Sequence, residues 1–509
     1  MKNKILRIFA LLMTVIMLCS VFVACDSATD KNNGASNNNS GNNGNNDATD
    51  ENATDGAEGD DIIEAKPAVT KKNYNDEFYL SVMTDVNPMA FYWVEESDGD
   101  AMSEALFTRQ ENVREYLGVE IKAKKAGSYT SYTQDFKTAV QNKDGSVDTL
   151  VTHVSKGIPS FISENYIQDF QKIPGIDLDM PYWNREFMDA NCIGDSYYLG
   201  FSDFNILYSY VISFNKKMLT QLNIDGYSVE EMYKSVYNGT WTLDRFLELA
   251  KLGFQDKGDA SKHIYGLVGQ QWVPWCGFFH SSDINLVEMN DQGQYEIAFY
   301  NDITKEKTAN LVDKLKNFSG SGYAELVYGT DRSVARLTNN RALMEINMTY
   351  DLEAMLDYDV SFGILPYPLY DSEQFDAESE SLGYRSLQWG GQLAIPNYLE
   401  NAQMVGETLE VLSYFSSPVQ ITFYEKVLGK QVSEAPDDAK MLDIVWNGIC
   451  SDIGQTFDDE VGVLYFLPKV TWNGSNGAEL VSYYASVEKK GNKKLNYFIN
   501  KVLELQNNP

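Results

Sequence analysis

FYLSVM at residues 78–83, VEIKA at residues 119–123 and VDTLV at residues 147–151 are the short stretches that decide the fold. Each is rich in apolar and β-branched side chains and predicts a β-strand. Between them, residues 102–117 and 132–141 carry apolar side chains at helical spacing. Strands that alternate with helices at these distances are typical of parallel βαβ units, so the sequence predicts an α/β fold. It contains no repeat of 20 to 50 residues, which argues against a solenoid or a propeller.

The composition limits the possible partners. A chain of 509 residues predicts two or three domains at about 150 residues each. Hydrophobic residues make up 43% and aromatic residues 13%, which excludes a wholly disordered chain. The formal net charge is -32, and residues 65–509 alone hold 63 Asp and Glu against 37 Lys and Arg. Such a field repels phosphate backbones, so we expect no nucleic acid partner.

The N-terminus has the pattern of an export signal. Three basic residues among the first seven precede an apolar run at residues 8–19, which is too short to span a membrane. Ala24 directly before Cys25 resembles the lipobox of bacterial lipoproteins, with Phe22 where that family usually has Leu. The resemblance implies a signal peptide at residues 1–24 and a lipid anchor on Cys25, and hence a protein on the extracytoplasmic face of the cell membrane. Plain cleavage and an uncleaved anchor are the alternatives.

Residues 25–64 predict a linker. They consist mainly of Asn, Gly, Ser, Thr, Asp and Glu, with almost no apolar side chain. Such a composition cannot offset the entropy of ordering, so we expect a disordered segment between the lipid anchor and the folded body.

Neither the remaining cysteines nor a search for common catalytic motifs indicates an enzyme. Cys192, Cys276 and Cys450 are an odd number without C-x-x-C spacing, so at most one disulfide is possible, and three free thiols are the alternative. The three histidines lack zinc-ligand spacing, and no EF-hand loop, phosphate loop or nucleophile elbow occurs. We therefore predict no catalytic residue, no metal site and no cofactor.

A series of motifs, in order along the chain, resembles the bacterial extracellular solute-binding proteins. The motifs are DFQKIPGIDL at 169–178, PYW at 181–183, IGDSYY at 193–198, VISFNK at 211–216, NGTWTLD at 238–244, ALMEI at 342–346, FGILPYP at 362–368 and GQLAIP at 391–396. The nearest group is the carbohydrate-uptake branch of ABC importer lipoproteins, which is similar to maltose-binding protein.

This resemblance implies a two-lobed periplasmic-binding-protein-like type II fold with a hinge and a cleft between the lobes. The N-terminal lobe would comprise residues 65–212 plus 347–397, and the C-terminal lobe residues 213–346 plus 398–509. The implied function is binding of an extracellular solute, a mono- or oligosaccharide, and its delivery to an ABC-type permease by ligand-stabilised closure of the lobes.

Candidate ligand-binding residues follow the predicted strands. Asp85 and Trp93 lie in the loop after the first strand and His153 lies at the end of the third. In open α/β sheets, ligands collect at these carboxyl ends. A carboxylate can bind the hydroxyl groups of a sugar, and an aromatic ring can cover its C–H face.

Further aromatic candidates lie in the second half of the chain. Trp272 and Trp275 belong to residues 270–279, where Pro274 and Gly277 predict an irregular segment beside the cleft. Any one of these Trp side chains could instead be core.

Three more positions complete the set. Tyr350 and Asp351 follow the predicted return strand, where related proteins often place ligand residues. Trp389 precedes Gly390 and Gly391 at the start of a strand. Trp472 precedes the last helical segment and could close the cleft from the C-terminal lobe. Core packing remains the alternative for each tryptophan.

Two other functions stay open at this point. A secreted glycoside hydrolase would also expose aromatic rings and would act through a pair of carboxylates. A surface scaffold without a small ligand is the third reading. The order of the motifs favours the binding protein.

Overall fold

The computed structural model describes residues 67–85, 87–328, 335–432, 436–474 and 477–507. The predicted signal peptide, Cys25 and the predicted linker lie outside these residues. Among the described residues, no helix is both long and apolar enough to cross a membrane.

The strands form two main sheets and two small ones. In chain order they are β1 (Asp76–Val82), β2 (Val119–Lys125), β3 (Thr149–Val151), β4 (Tyr210–Asn215), β5 (Tyr265–Gln270), β6 (Val287–Met289), β7 (Tyr295–Ile297), β8 (Ala324–Val327), β9 (Ala342–Met348), β10 (Phe362–Leu365), β11 (Ser386–Leu387), β12 (Leu393–Ala394) and β13 (Ile449–Cys450). The first sheet has the order β12-β3-β1-β2 and the second has the order β10-β4-β9-β5-β8.

Parallel pairing runs through both sheets. β1 pairs in parallel with β2 and β3, which confirms the βαβ units predicted at the start of the chain. In the second sheet, β5 pairs in parallel with β8 and β9, while β4 runs antiparallel to β9 and β10.

Helices cover the sheets. They are α1 (Ala101–Leu117), α2 (Tyr132–Asn142), α3 (Ile158–Ser163), α4 (Arg185–Asp189), α5 (Lys216–Leu222), α6 (Val229–Tyr237), α7 (Leu243–Gly253), α8 (Val273–Ser281), α9 (Lys305–Ser319), α10 (Asp351–Met355), α11 (Ala402–Tyr414), α12 (Ser417–Val432), α13 (Pro436–Asn447), α14 (Ile453–Thr456), α15 (Asp458–Val461), α16 (Phe466–Thr471) and α17 (Leu480–Asn507).

Local sequence explains where these helices begin. The Asp100 carboxylate accepts hydrogen bonds from the first backbone N–H groups of α1, and Gly118 ends that helix in the left-handed conformation. The Thr242 hydroxyl caps α7, and Asp244 lies in the first turn. Phe246 and Ala250 bury the same face of that helix.

Side-by-side segments connect the two main sheets. The chain leaves the first sheet after Gly200, which pairs with Leu393 of β12. It then reaches β4, where the Ser209 carbonyl accepts a hydrogen bond from the nitrogen of Thr349 at 2.9 Å. The Ser209 hydroxyl donates to the carbonyl of Leu387 at 2.6 Å, which ties in the segment that returns to β12. These few crossing segments form the connection between the sheets.

One predicted segment has a different structure. Residues 270–279 do not form an irregular loop, because α8 begins at Val273. Pro274 is compatible with this helix since a first-turn N–H has no intrahelical partner. Gly277 lies inside α8 and packs against the ring of Tyr367. Pro274 therefore lies in the first turn of a helix, and Gly277 lies where this helix packs against Tyr367.

The lobe ranges stay a prediction. Two elements, however, pair with or pack against the main sheet of the lobe to which they are not assigned. β10, assigned to the N-terminal lobe, is hydrogen-bonded to β4 of the second sheet. α11, assigned to the C-terminal lobe, contributes Met404, Val405 and Leu409 to the apolar core under the first sheet. Sheet membership depends on long-range pairing, which local periodicity does not encode.

Candidate functional site

Three loops at the edge of the first sheet bring Asp85, Tyr129 and His153 together. They follow β1, β2 and β3, and the carboxyl ends of parallel strands meet at one edge of a sheet. The backbone nitrogen of Tyr129 donates a hydrogen bond to Asp85 Oδ2 at 2.6 Å. The rings of Tyr129 and His153 meet edge to face with their centroids 5.4 Å apart. Two predicted ligand residues thus lie together, and Tyr129, which is 48% exposed, joins them.

His153 is held in its neutral form. Burial and the nearby ammonium group of Lys156 lower the pKa of His153 to about 4, and the Asp85 carboxylate opposes this only in part. Its Nδ1 accepts a hydrogen bond from the backbone nitrogen of Ser155 at 3.0 Å. The proton of the neutral ring therefore resides on Nε2, which makes His153 a hydrogen-bond donor at neutral pH.

Four half-buried rings form a second group, which we call the aromatic wall: Trp272, Tyr328, Tyr465 and Trp472. Trp272 stacks on Tyr465 with ring centroids 4.6 Å apart and 10° between the planes. Tyr328 meets Trp272 edge to face at 5.0 Å and lies 4.9 Å from Trp472. Trp272 and Tyr328 follow β5 and β8 of the second sheet, and Tyr465 and Trp472 flank α16.

The aromatic wall faces the first group. The backbone nitrogen of Gly157, after β3, donates to Asp459 Oδ2 at 2.6 Å. Burial raises the pKa of Tyr465, and the charges of Asp458, Tyr129 and Asp459 add to this increase. Such electrostatic coupling needs short distances. Residues that follow the strands of both sheets therefore converge on one place.

The crossing segments contribute the base of this place. Tyr350 meets Tyr208 edge to face at 5.2 Å, and Trp389 meets Tyr210 in the same way at 6.0 Å. Burial raises the pKa of Tyr210 well above its usual range, and charge on Tyr350 and Asp351 adds to it. The predicted residues Tyr350, Asp351 and Trp389 are therefore neighbours in space.

Two other predicted ligand residues, Trp93 and Trp275, are held by contacts within the fold. Trp93 Nε1 donates to the carbonyl of Ile121 at 3.1 Å, so its indole is fixed against β2. Trp275 is 0% exposed and packs edge to face against Phe278 with centroids 5.0 Å apart. Their roles as ligand residues stay predictions.

Sequence reasoning missed Tyr129, Tyr328 and Tyr465. Tyr129 and Tyr328 each follow a strand, so the rule that selects Asp85 also applies to them. Tyr465 has no comparable signal, because its stacking partner Trp272 lies far away in the sequence.

A separate groove lies on the surface between α7 and α9. Its volume is about 610 Å³, and its lining includes Asp244, Glu248, Lys251 and Tyr323. None of its lining residues belongs to the groups above. Among the described residues, no three His, Cys, Asp or Glu side chains lie close enough together to hold a metal ion.

Comparison with known proteins gives one family match. The family model for bacterial extracellular solute-binding proteins matches residues 107–429. The sequence has no significant match among curated proteins.

Solved structures share the fold at low sequence identity. The cyclic alpha-maltosyl-1,6-maltose binding protein from Arthrobacter globiformis has a TM-score of 0.56 and 12% identity, over 83% of this chain and 99% of that one. The galacto-N-biose/lacto-N-biose I-binding protein of an ABC transporter from Bifidobacterium longum has a TM-score of 0.52 and 13% identity, over 83% and 97%. UgpB from Mycobacterium tuberculosis, in complex with glycerophosphocholine, has a TM-score of 0.51 and 13% identity, over 82% of this chain and 98% of that one. These likenesses confirm the predicted two-lobed α/β fold.

Proposed function

From the premise that this chain belongs to the bacterial extracellular solute-binding proteins, we propose that it captures a carbohydrate outside the cell and delivers it to an ABC-type permease. Two of the three similar structures carry names of oligosaccharide binders. The third was solved with glycerophosphocholine, which makes that phosphodiester the first rival ligand.

The aromatic wall is the observation that carries this proposal. A sugar ring has C–H faces that stack on flat aromatic surfaces and hydroxyl edges that need hydrogen bonds. The stacked pair Trp272 and Tyr465 offers such a surface. The Asp85 carboxylate and the Nε2 of neutral His153 offer an acceptor and a donor on the opposite side. The combination fits an uncharged, polyhydroxylated ligand.

Closure of the lobes would couple capture to delivery. A ligand shifts a conformational equilibrium only when it makes different contacts in the two states. Tyr129 follows a strand of the first sheet and Trp272 follows a strand of the second. A ligand that contacts both residues stabilises the closed form, which the permease would then recognise.

The N-terminus would keep the protein at the cell membrane. We assign residues 1–24 to a signal peptide, Cys25 to a lipid anchor and residues 25–64 to a linker. Acyl chains anchor a protein through buried CH₂ groups at about 0.8 kcal/mol each. The folded body would then meet the permease on the extracytoplasmic face.

The proposed function includes no catalytic step. The family match favours capture over glycoside hydrolysis. Incubating the protein with oligosaccharides and analysing the mixture for shorter products checks this directly. Released products would overturn the proposal in favour of a hydrolase.

Isothermal titration calorimetry is the main test. The purified folded body would be titrated with maltose, maltotriose, cellobiose, mannobiose and lacto-N-biose, and with glycerophosphocholine as the rival ligand. We expect saturable binding of at least one sugar together with a smaller radius of gyration in solution scattering. Binding of glycerophosphocholine alone, or of none of these probes, would refute carbohydrate capture.

A further inference from the structure

The Gln388 side chain is buried, and its amide groups make no hydrogen bond to the described residues. Gln388 is 0% exposed and lies between β11 and β12 on the segment that returns to the first sheet. Its backbone is fixed, since its nitrogen donates to the carbonyl of Cys450 at 3.0 Å and its carbonyl accepts from Gln455 Nε2 at 2.8 Å. Within the described part of the chain, neither Nε2 nor Oε1 of Gln388 has a hydrogen-bond partner.

Two neighbouring side chains share this property. Trp389 is 5% exposed and its Nε1 has no partner among the described residues, and the same holds for Oε1 of the fully buried Gln455. Together the three side chains present donors at Gln388 Nε2 and Trp389 Nε1, and acceptors at Gln388 Oε1 and Gln455 Oε1. Buried polar atoms without partners cost free energy and are uncommon in native proteins. Four such atoms on two consecutive residues and on Gln455, whose Nε2 donates to the Gln388 carbonyl at 2.8 Å, indicate that a partner comes from outside the chain.

The amide of Gln388 lies beside the candidate site. A Cβ atom at Gly390 would be 3.6 Å from Gln388 Oε1 and 3.6 Å from the Tyr208 ring, so the amide and that ring both border Gly390. The Tyr208 ring contacts Tyr350 at 5.2 Å. Trp389 contacts Tyr210, whose pKa also reflects charge on Tyr465 of the aromatic wall. Gln388 and Trp389 thus lie on the crossing segment, and Gln455 of α14 lies against it.

Gln392 shows what a purely structural glutamine looks like here. It is also 0% exposed and lies on the same segment. Its Nε2 donates to Thr456 Oγ1 at 3.3 Å, and its Oε1 accepts from Thr152 Oγ1 at 2.9 Å. Burial therefore does not by itself leave a glutamine without partners in this segment, and Gln392 provides a matched control.

We propose that Gln388, assisted by Trp389 Nε1 and Gln455 Oε1, is a specificity-determining residue that binds adjacent hydroxyl groups of the ligand. The inference rests on the proposed function and deepens it. A primary amide donates and accepts at once, as a hydroxyl does, so it selects uncharged groups that can do both. An analogue that lacks such a hydroxyl leaves the amide unsatisfied and is rejected.

The test compares Gln388→Met with Gln392→Met, since Met has nearly the same size as Gln and no strong hydrogen-bonding group. The melting temperature of each ligand-free variant is measured, together with the Kd of the best sugar from the calorimetric series. We expect Gln388→Met to melt at or above the wild-type temperature and to raise Kd at least tenfold. Gln392→Met should melt below the wild-type protein.

The outcomes separate the two proposals. If the wild-type protein binds a sugar and Gln388→Met binds it equally well, the role of Gln388 is refuted while carbohydrate capture stands. If ligand-free Gln388→Met melts as low as Gln392→Met, its role is structural and the inference fails as well. A wild-type protein that binds none of the sugars refutes the proposed function itself. Gln388→Glu, which adds a charge in the same shape, should also raise Kd.

Discussion

The backbone nitrogen of Gly157 donates a hydrogen bond to Asp459 Oδ2 at 2.6 Å, and this bond joins the loop after β3 to α15. Gly157 precedes α3 with a φ of 82°, a conformation that favours glycine, so the geometry of the donor is set locally. Asp459 is exposed, so solvent weakens the bond. It is nevertheless a direct polar contact between segments that carry the two facing groups of the site.

Replacing Asp459 should weaken ligand affinity without changing the ligand. Asp459→Ala removes one acceptor that favours the joined arrangement, and a hydrogen bond of this kind contributes about 1 kcal/mol, or roughly fivefold in affinity. Calorimetry with the best-binding sugar measures the change. Glu460→Ala is the control, because its partly exposed carboxylate pairs with Lys494 at 3.5 Å. Equal Kd values for the two variants would contradict a role of the Gly157–Asp459 contact in closure.

Removing the stacking surface should have a larger effect. Trp272→Ala deletes the ring that stacks on Tyr465 at 4.6 Å, and aromatic contacts contribute about 0.5 to 1.5 kcal/mol beyond the area they bury. With the lost burial included, we expect Kd to rise roughly 10- to 100-fold.

An exposed aromatic residue outside the site gives the comparison for Trp272. Tyr497 on α17 is 69% exposed, and Tyr497→Ala should keep the wild-type Kd. Isothermal titration calorimetry measures the Kd of both variants for the best-binding sugar. An unchanged Kd for Trp272→Ala, in a variant that retains its melting temperature, would remove the aromatic wall from the site.

The extent to which sequence predicts this fold depends on how local each signal is. β1, α1 and β2 follow from nearby periodicity and capping, and a cap such as Thr242 on α7 uses only neighbouring atoms. The pairing of β10 with β4 joins distant residues, and so does the packing of α11 under the first sheet. Those contacts depend on the assembled core and leave no periodic trace.

The candidate site also contains residues that local sequence predicts and residues that only long-range contacts bring together. Asp85 and His153 could be selected because the ends of parallel strands are a general place for ligands. Tyr465 could not, because stacking between Trp272 and Tyr465 exists only after both sheets have formed. Trp275 is a candidate because Pro274 and Gly277 predict an irregular segment, yet this segment forms α8 and Trp275 is 0% exposed. Residue type alone does not separate a stacking surface from core packing.

The low pKa of His153 should appear in the pH dependence of stability. Burial lowers its pKa from 6.5 to about 4 in the native protein, so the unfolded chain binds more protons between these values. Stability therefore rises with pH through this interval, is fully present above pH 6.5 and is lost as the pH falls toward 4. The contribution is about 3 kcal/mol at most.

A variant isolates this contribution from other buried groups. Burial raises the pKa of Asp148 and of Asp458 to about 6, so these carboxyls stabilise the native state toward lower pH and oppose the histidine. His153→Asn keeps an acceptor for the Ser155 nitrogen but does not titrate. Urea unfolding from pH 8 to pH 4 should show the wild-type protein losing stability relative to His153→Asn below pH 6.5. A constant difference across this range would contradict a buried neutral His153.

Asp438 holds together three elements on the outer side of the second sheet. Its Oδ2 pairs with Lys216 Nζ of α5 at 2.6 Å. Its Oδ1 accepts from the Tyr233 hydroxyl of α6 and from the backbone nitrogen of Ile364 in β10 at 3.1 Å. The carboxylate is 0% exposed, so every one of these contacts is shielded from water.

Asp438→Ala should therefore destabilise the protein strongly while leaving ligand chemistry alone. The substitution leaves the Lys216 ammonium and the Tyr233 hydroxyl without their acceptor, and breaking a buried ion pair in this way costs about 3 to 5 kcal/mol. Its neighbour Asp437 makes a 3.9 Å contact with Lys440 at the surface, so Asp437→Ala should cost less than about 1 kcal/mol. Urea unfolding of both variants gives the two free energies. Because Asp438 lies outside the site, the folded fraction of Asp438→Ala should bind the ligand with the wild-type Kd. Equal unfolding free energies for Asp438→Ala and Asp437→Ala would show that the buried ion pair contributes little to holding β10 against α13.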